Sequence, residues 1–83
     1  MLGQDWGMTE LHALLPADVW LQQVFDAKAA REGGIVRRKR RDIERTVGWE
    51  RFEFELRRRG FHAVENSGQI VIFCNNAPIR QVV

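Results

Sequence analysis

The first regular pattern of apolar and polar residues lies between Pro16 and the glycine pair Gly33-Gly34. Six residues recur there at three- and four-residue spacing and would form one apolar stripe along a helix: Ala17, Trp20, Leu21, Val24, Ala27 and Lys28. This spacing is typical of an amphipathic helix with one buried face. Pro16 suits a first helical turn because its missing N–H would have no partner there, and glycine suits a helix end. The pattern predicts one core helix that ends at the glycine pair.

The segment after the glycine pair predicts a brief extended stretch and a short helix. Ile35 to Arg38 is too short for more than a turn or a small β-strand, which its two β-branched residues favour. Asp42 is a suitable N-cap, and Ile43 and Val47 lie four residues apart on one helical face. Gly48 ends this short helix.

A second helix is predicted to begin directly after Gly48. Its apolar residues have the i, i+3, i+7 spacing of a buried face: Trp49, Phe52 and Leu56. Phe54 falls off that face, and Gly60 after three arginines is a helix stop. Glutamates and arginines four residues apart predict two ion pairs on this helix, Glu53 with Arg57 and Glu55 with Arg59.

After Gly60 the pattern of apolar and polar residues changes from that of a helix to that of β-strands. Residues 61–65 and 69–75 flank Asn66-Ser67-Gly68, a turn cluster that predicts a short hairpin. The second strand is apolar without interruption from Ile70 to Cys74. A strand that is apolar on both sides is usually central and covered on both faces, so we expect this strand in the middle of a sheet.

The chain has 83 residues, which is enough for one domain. The predicted elements give an α+β fold with three helices and a short three-stranded antiparallel sheet over residues 16–76. Residues 1–15 form an apolar but poorly periodic N-terminal arm, and residues 77–83 form a C-terminal tail. We expect the arm to cover a sheet face of its own domain, and the alternative is a homodimer formed through the arm.

Composition excludes several classes of protein. Cys74 is the single cysteine, so there is no internal disulfide, and neither His12 nor His62 has a second ligand at metal-binding spacing. No apolar stretch approaches the ~20 residues of a membrane-spanning helix, and the N-terminus lacks a secretory signal pattern. No set of residues has the spacing of an acid-base, nucleophilic or nucleotide-binding site. We therefore expect a cytoplasmic protein without enzymatic activity, cofactor, metal or membrane partner.

Positive charge is concentrated in one part of the chain. Residues 37–59 hold ten of the 13 Lys and Arg residues and five acidic ones, a net charge of +5, whereas the remainder holds three basic and six acidic residues, a net charge of −3. Such a block predicts a polyanionic partner, either nucleic acid or an acidic protein surface. Eleven of the 13 basic residues are arginines, whose planar donor groups bind phosphate and guanine in bidentate fashion.

The element order, with a helix before a two-helix unit and a final central strand, resembles the winged helix-turn-helix family. Asp42 to Trp49 is similar to the first helix and turn of that unit, with Gly48 at the sharp turn. The resemblance implies duplex DNA as the ligand, with residues 49–59 as the recognition helix and residues 66–69 as the wing. It implies a transcriptional regulator or accessory factor. Combined with the basic run, it predicts these nucleic-acid-binding residues: Arg37, Arg38, Lys39, Arg40, Arg41, Arg45, Arg51, Arg57 and Arg58.

Three alternatives remain open at the level of sequence. The run from Arg37 to Arg41 is also typical of a solvated edge strand whose charges discourage pairing with other chains. An apolar patch of a protein-interaction module, rimmed by arginines, could instead be formed by Phe54, Trp6 and one face of Ile70 to Cys74. Residues 52–74 also resemble small toxins with a double-stranded-RNA-binding fold, but Asn66 to Gln69 stand where those carry a catalytic histidine, so nuclease activity is not implied.

Overall fold

The computed structural model describes residues 16–83, and the predicted N-terminal arm and its homodimer contact lie outside that range. The fold is α+β, with four helices and three strands. In chain order these are α1 (Ala17–Asp26), α2 (Lys28–Arg31), β1 (Ile35–Lys39), α3 (Arg40–Thr46), α4 (Trp49–Arg59), β2 (His62–Asn66) and β3 (Gln69–Phe73). None of the helices within residues 16–83 is long and apolar enough to span a bilayer.

The predicted first helix is two helices in the structure. Ala27 adopts an extended conformation, with φ −57° and ψ 147°, and separates α1 from α2. Phe25 before this break and Ala30 after it are both buried, so the change of direction lets both pack into the core. The sequence stripe missed Phe25, and it included Lys28, which is exposed.

The helix after β1 begins three residues earlier than predicted. Arg40 is its first residue and Lys39 precedes it, so Asp42 lies in the first turn and is not the N-cap. The Arg40 N–H instead donates to the Gly68 carbonyl at 2.9 Å. Gly48, with φ +90°, joins α3 to α4, a conformation that side chains other than glycine rarely adopt.

The three strands form an antiparallel sheet in the order β1-β3-β2. The prediction that the final strand is central is confirmed. The β2–β3 connection is a two-residue turn, Ser67-Gly68, in which both residues have positive φ, as in the tight turns favoured by hairpins.

Among residues 16–83, the helices pack on one side of the sheet, and no element covers the opposite side, which we call the open side. Ile70 and Ile72 of β3 are fully buried together with Val36 of β1, whereas Val71 and Phe73 on the opposite side are only half-buried. The predicted cover of this second face by the N-terminal arm lies outside the described residues. The core joins the helix-facing side of the sheet to apolar residues of the helices: Trp20, Leu21, Val24, Phe25, Ala30, Ile43, Phe52 and Leu56.

Candidate nucleic-acid interface

The basic residues of β1 are divided between the two sides of the sheet, because side chains alternate along a strand. Arg37 and Lys39 lie on the open side and are exposed. Arg38 lies on the helix-facing side, where it is half-buried and its Nη1 donates to the Arg37 carbonyl at 2.6 Å. It lines a cleft of about 430 Å³ together with Arg45 and Asp42 of α3. The predicted run of five basic residues is therefore not one flat patch.

Arg40 is held in place by the structure rather than directed at solvent. Its Nε donates to Glu44 at 2.9 Å and its Nη1 to Glu65 at 2.7 Å, and its guanidinium lies 4.0 Å from the centroid of the Trp49 ring. The hydrogen bond to Glu44 is the largest cause of a raised Arg40 pKa, so the group is permanently charged. It ties the start of α3 to α4 and β2. Although predicted as a binding residue, it is already satisfied by two carboxylates.

The start of α3 and the hairpin turn form a shallow basic cleft. Its lining comes from Lys39, Arg40, Arg41 and Glu44 on one side and from Ser67, Gly68 and Gln69 on the other, and its volume is about 500 Å³. The hydrogen bond from the Arg40 N–H to Gly68 fixes the distance between the two sides. Because Arg40 already binds Glu44, the cleft presents the cations of Lys39 and Arg41 to solvent.

The arginines at the end of α4 are paired with glutamates. Arg57 binds Glu53 at 3.1 Å, and Glu55 accepts hydrogen bonds from both Arg58 and Arg59, the latter at 3.1 Å. The two predicted i, i+4 pairs are confirmed, and the pair with Arg58 is additional. Two of the predicted binding residues, Arg57 and Arg58, are therefore paired within their own helix, although Arg58 shares its carboxylate with Arg59.

Glu55 is a buried carboxylate with 8% exposure, which the sequence did not predict. The hydrogen bond from Arg58 is the largest cause that lowers the pKa of Glu55, and the bond from Arg59 acts in the same direction, whereas burial opposes them. Arg59 also lies over the Phe25 ring of α1, 4.5 Å from its centroid. Glu55 and the two arginines that bind it therefore connect α4 to α1 at the edge of the core, which is a structural role.

The outward face of α4 carries few unpaired cations. Arg51 is exposed and has no carboxylate partner among residues 16–83, and Phe54 is 60% exposed. The other side of the helix borders a groove of about 530 Å³ against β2, with an apolar floor that includes Leu56 and Ile70 and a charged rim that includes Glu53. The predicted recognition helix thus offers one free arginine and one exposed aromatic ring.

Residues 16–83 contain no group of three or more His, Cys, Asp or Glu side chains placed to hold a metal ion. Cys74 is buried, and burial raises the pKa of its thiol, which keeps it protonated. It hence behaves as a small core residue.

No protein-family model, curated protein or solved structure matches this chain.

Proposed function

We propose that this domain binds duplex DNA, through the cations of β1 and α3, as a transcriptional regulator or accessory factor. One observation carries the proposal. Five basic residues in that segment have no carboxylate partner among residues 16–83, and we call them the β1–α3 basic surface: Arg37, Arg38, Lys39, Arg41 and Arg45. Glu44 is already occupied by Arg40, which leaves Asp42 as the one other acidic residue of the segment.

The order of the sheet supports a winged-helix arrangement for this interface. The hairpin turn Ser67-Gly68 corresponds to the wing, and its hydrogen bond to Arg40 holds it beside the start of α3. A phosphate group that enters the cleft between them would meet Lys39 and Arg41. Phosphate contacts of this kind position a protein on the duplex without reading its sequence.

The contribution of α4 to base recognition is small in this proposal. Arg57 and Arg58 are engaged by glutamates, and Arg51 is the one predicted binding residue of α4 that keeps an unpaired charge within residues 16–83. Glu50 on the same helix forms no ion pair within residues 16–83 and would be repelled by phosphates. We therefore expect binding that depends strongly on charge and weakly on DNA sequence.

The experiment compares two triple variants that remove the same charge. Arg37→Ser/Lys39→Ser/Arg41→Ser removes three cations of the β1–α3 basic surface, and the control removes three exposed cations elsewhere: Lys28, Arg31 and Arg80, each replaced by Ser. We expect affinity for a labelled duplex at low salt to fall about a hundredfold in the first variant and only a fewfold in the control. Circular dichroism checks that both are folded. Equal losses would mean that net charge alone drives binding, which contradicts a defined interface.

A protein-interaction module is the second candidate function. The exposed Phe54 and the groove between α4 and β2, whose floor includes Leu56 and Ile70, support it. Aromatic side chains often provide the main energy of protein interfaces. The same two variants distinguish the candidates, because a protein partner bound through α4 would tolerate the loss of Arg37, Lys39 and Arg41.

A further inference from the structure

The open side of the sheet displays nine side chains in three rows. The register places them as Ile35–Phe73–His62, Arg37–Val71–Val64 and Lys39–Gln69–Asn66, each row reading across β1, β3 and β2. Six of the nine are exposed, and Val71, Phe73 and His62 are half-buried. Ile35 is 50% exposed and Val64 is 41% exposed, so both outer strands add apolar surface to this face.

The charge on this face is of one sign. It carries Arg37 and Lys39 and no carboxylate at all. The helix-facing side of the same strands, by contrast, includes Glu65, which binds Arg40. Two amides, Gln69 and Asn66, stand in the same row as Lys39. The face therefore combines cations, hydrogen-bonding amides and an aromatic ring on the central strand.

We propose that this open sheet face binds single-stranded nucleic acid, in addition to the duplex contact of the β1–α3 basic surface. Unpaired bases stack on aromatic side chains, while their phosphates bind Arg and Lys. Phe73, flanked by Ile35 and Val71, provides the apolar surface for a base, and Arg37 and Lys39 provide the phosphate contacts. The face measures roughly 10 Å across the strands and roughly 13 Å along them, enough for two to three bases.

Charge argues against a second copy of this chain as the occupant. Two such faces packed together would bring Arg37 and Lys39 of one copy against the same cations of the other, with no acidic residue on either face to balance them. Like charges in contact destabilise an interface. A polyanion with apolar, planar groups is the complementary ligand.

The inference rests on the proposed function only in part, since Arg37 and Lys39 belong to both surfaces but Phe73 belongs to this face alone. The test therefore uses Phe73→Leu, which keeps an apolar side chain and removes the aromatic ring. Phe54→Leu is the matched control, because it makes the same change at an exposed aromatic residue of α4. Both variants are titrated with a labelled twelve-nucleotide oligo-dT and with a twelve-base-pair duplex of about the same length.

We expect Phe73→Leu to weaken oligo-dT binding roughly five- to tenfold and to leave duplex affinity unchanged, whereas Phe54→Leu changes neither. In the wild-type protein, amide NMR shifts caused by oligo-dT should be concentrated in Ile35, Arg37, Val71 and Phe73, a readout that does not depend on a variant. Oligo-dT binding that survives a failure of duplex binding would support this inference and overturn the proposed function.

Four results would overturn the inference itself. The first is the absence of oligo-dT binding while the duplex binds, and the second is an equal loss in both Phe variants. The third is a wild-type dimer in sedimentation that Phe73→Leu dissociates, which would assign the face to a second copy. Shifts confined to α3 and the hairpin turn would likewise assign oligo-dT to the duplex surface.

Discussion

Two parts of the molecule are rich in arginine and differ in what surrounds the positive charge. On β1 and α3, Arg37, Lys39 and Arg41 form no ion pair within residues 16–83, and Glu44 of the same segment is bound by Arg40. At the end of α4, Arg57 and Arg58 are each bound to a glutamate of the same helix. The difference shows that the number of arginines is a poor measure of an electrostatic surface, because pairing decides how much charge reaches a ligand.

The paired region should matter for stability. Replacing Glu55 by Gln leaves Arg58 and Arg59 with a neutral partner at a buried position. We expect the free energy of unfolding in urea to fall by roughly 1–2 kcal/mol. Glu53→Gln, at an exposed pair with Arg57, is the control and should cost at most about 0.5 kcal/mol. Equal costs for both variants would show that the burial of Glu55 has no energetic consequence.

Acid pH provides a second readout of the same variant. The pKa of Glu55 is lowered from 4.5 chiefly by its hydrogen bond from Arg58, so the carboxylate stabilises the fold fully above that ordinary value. The stabilisation is lost as pH falls through the lower pKa of the folded state. The difference in unfolding free energy between wild type and Glu55→Gln should therefore be largest at neutral pH and should shrink in acid. A difference that stays constant would be inconsistent with an ionised Glu55.

Much of this difference between the regions could be predicted from local spacing, and some could not. The i, i+4 pairs of Glu53 with Arg57 and of Glu55 with Arg59 follow from helix geometry once α4 is recognised. The pairing of Arg40 with Glu65 joins residues far apart in sequence, so only the folded sheet reveals it. Sequence alone consequently assigned Arg40 to the binding surface together with its neighbours.

The fold could be predicted to a similar extent. The spacing of apolar residues predicted α4 and the two strands of the hairpin. The continuous apolar run predicted that β3 is the central strand. The break at Ala27 had no local signal, because alanine is the strongest helix former.

Single substitutions compare the contributions of the two regions to the binding of duplex DNA. Arg41→Ser removes an exposed cation of the basic cleft, and Arg57→Ser removes a cation paired with Glu53. Both lower the net charge by one. We expect Arg41→Ser to weaken duplex binding roughly five- to tenfold at low salt and Arg57→Ser to weaken it less than about twofold. Anisotropy titrations with one labelled duplex measure both, and the reverse order would place the interface on α4.

The most direct test is the salt dependence of duplex affinity in the wild-type protein. Each phosphate contact contributes a slope of about −0.9 to a plot of log affinity against log salt concentration. If four or five residues of the β1–α3 basic surface meet phosphates, the slope should be about −4, and replacing Arg37, Lys39 and Arg41 together should reduce its magnitude by nearly 3. A flat plot, or no binding at low salt, would contradict the assignment of this surface to DNA.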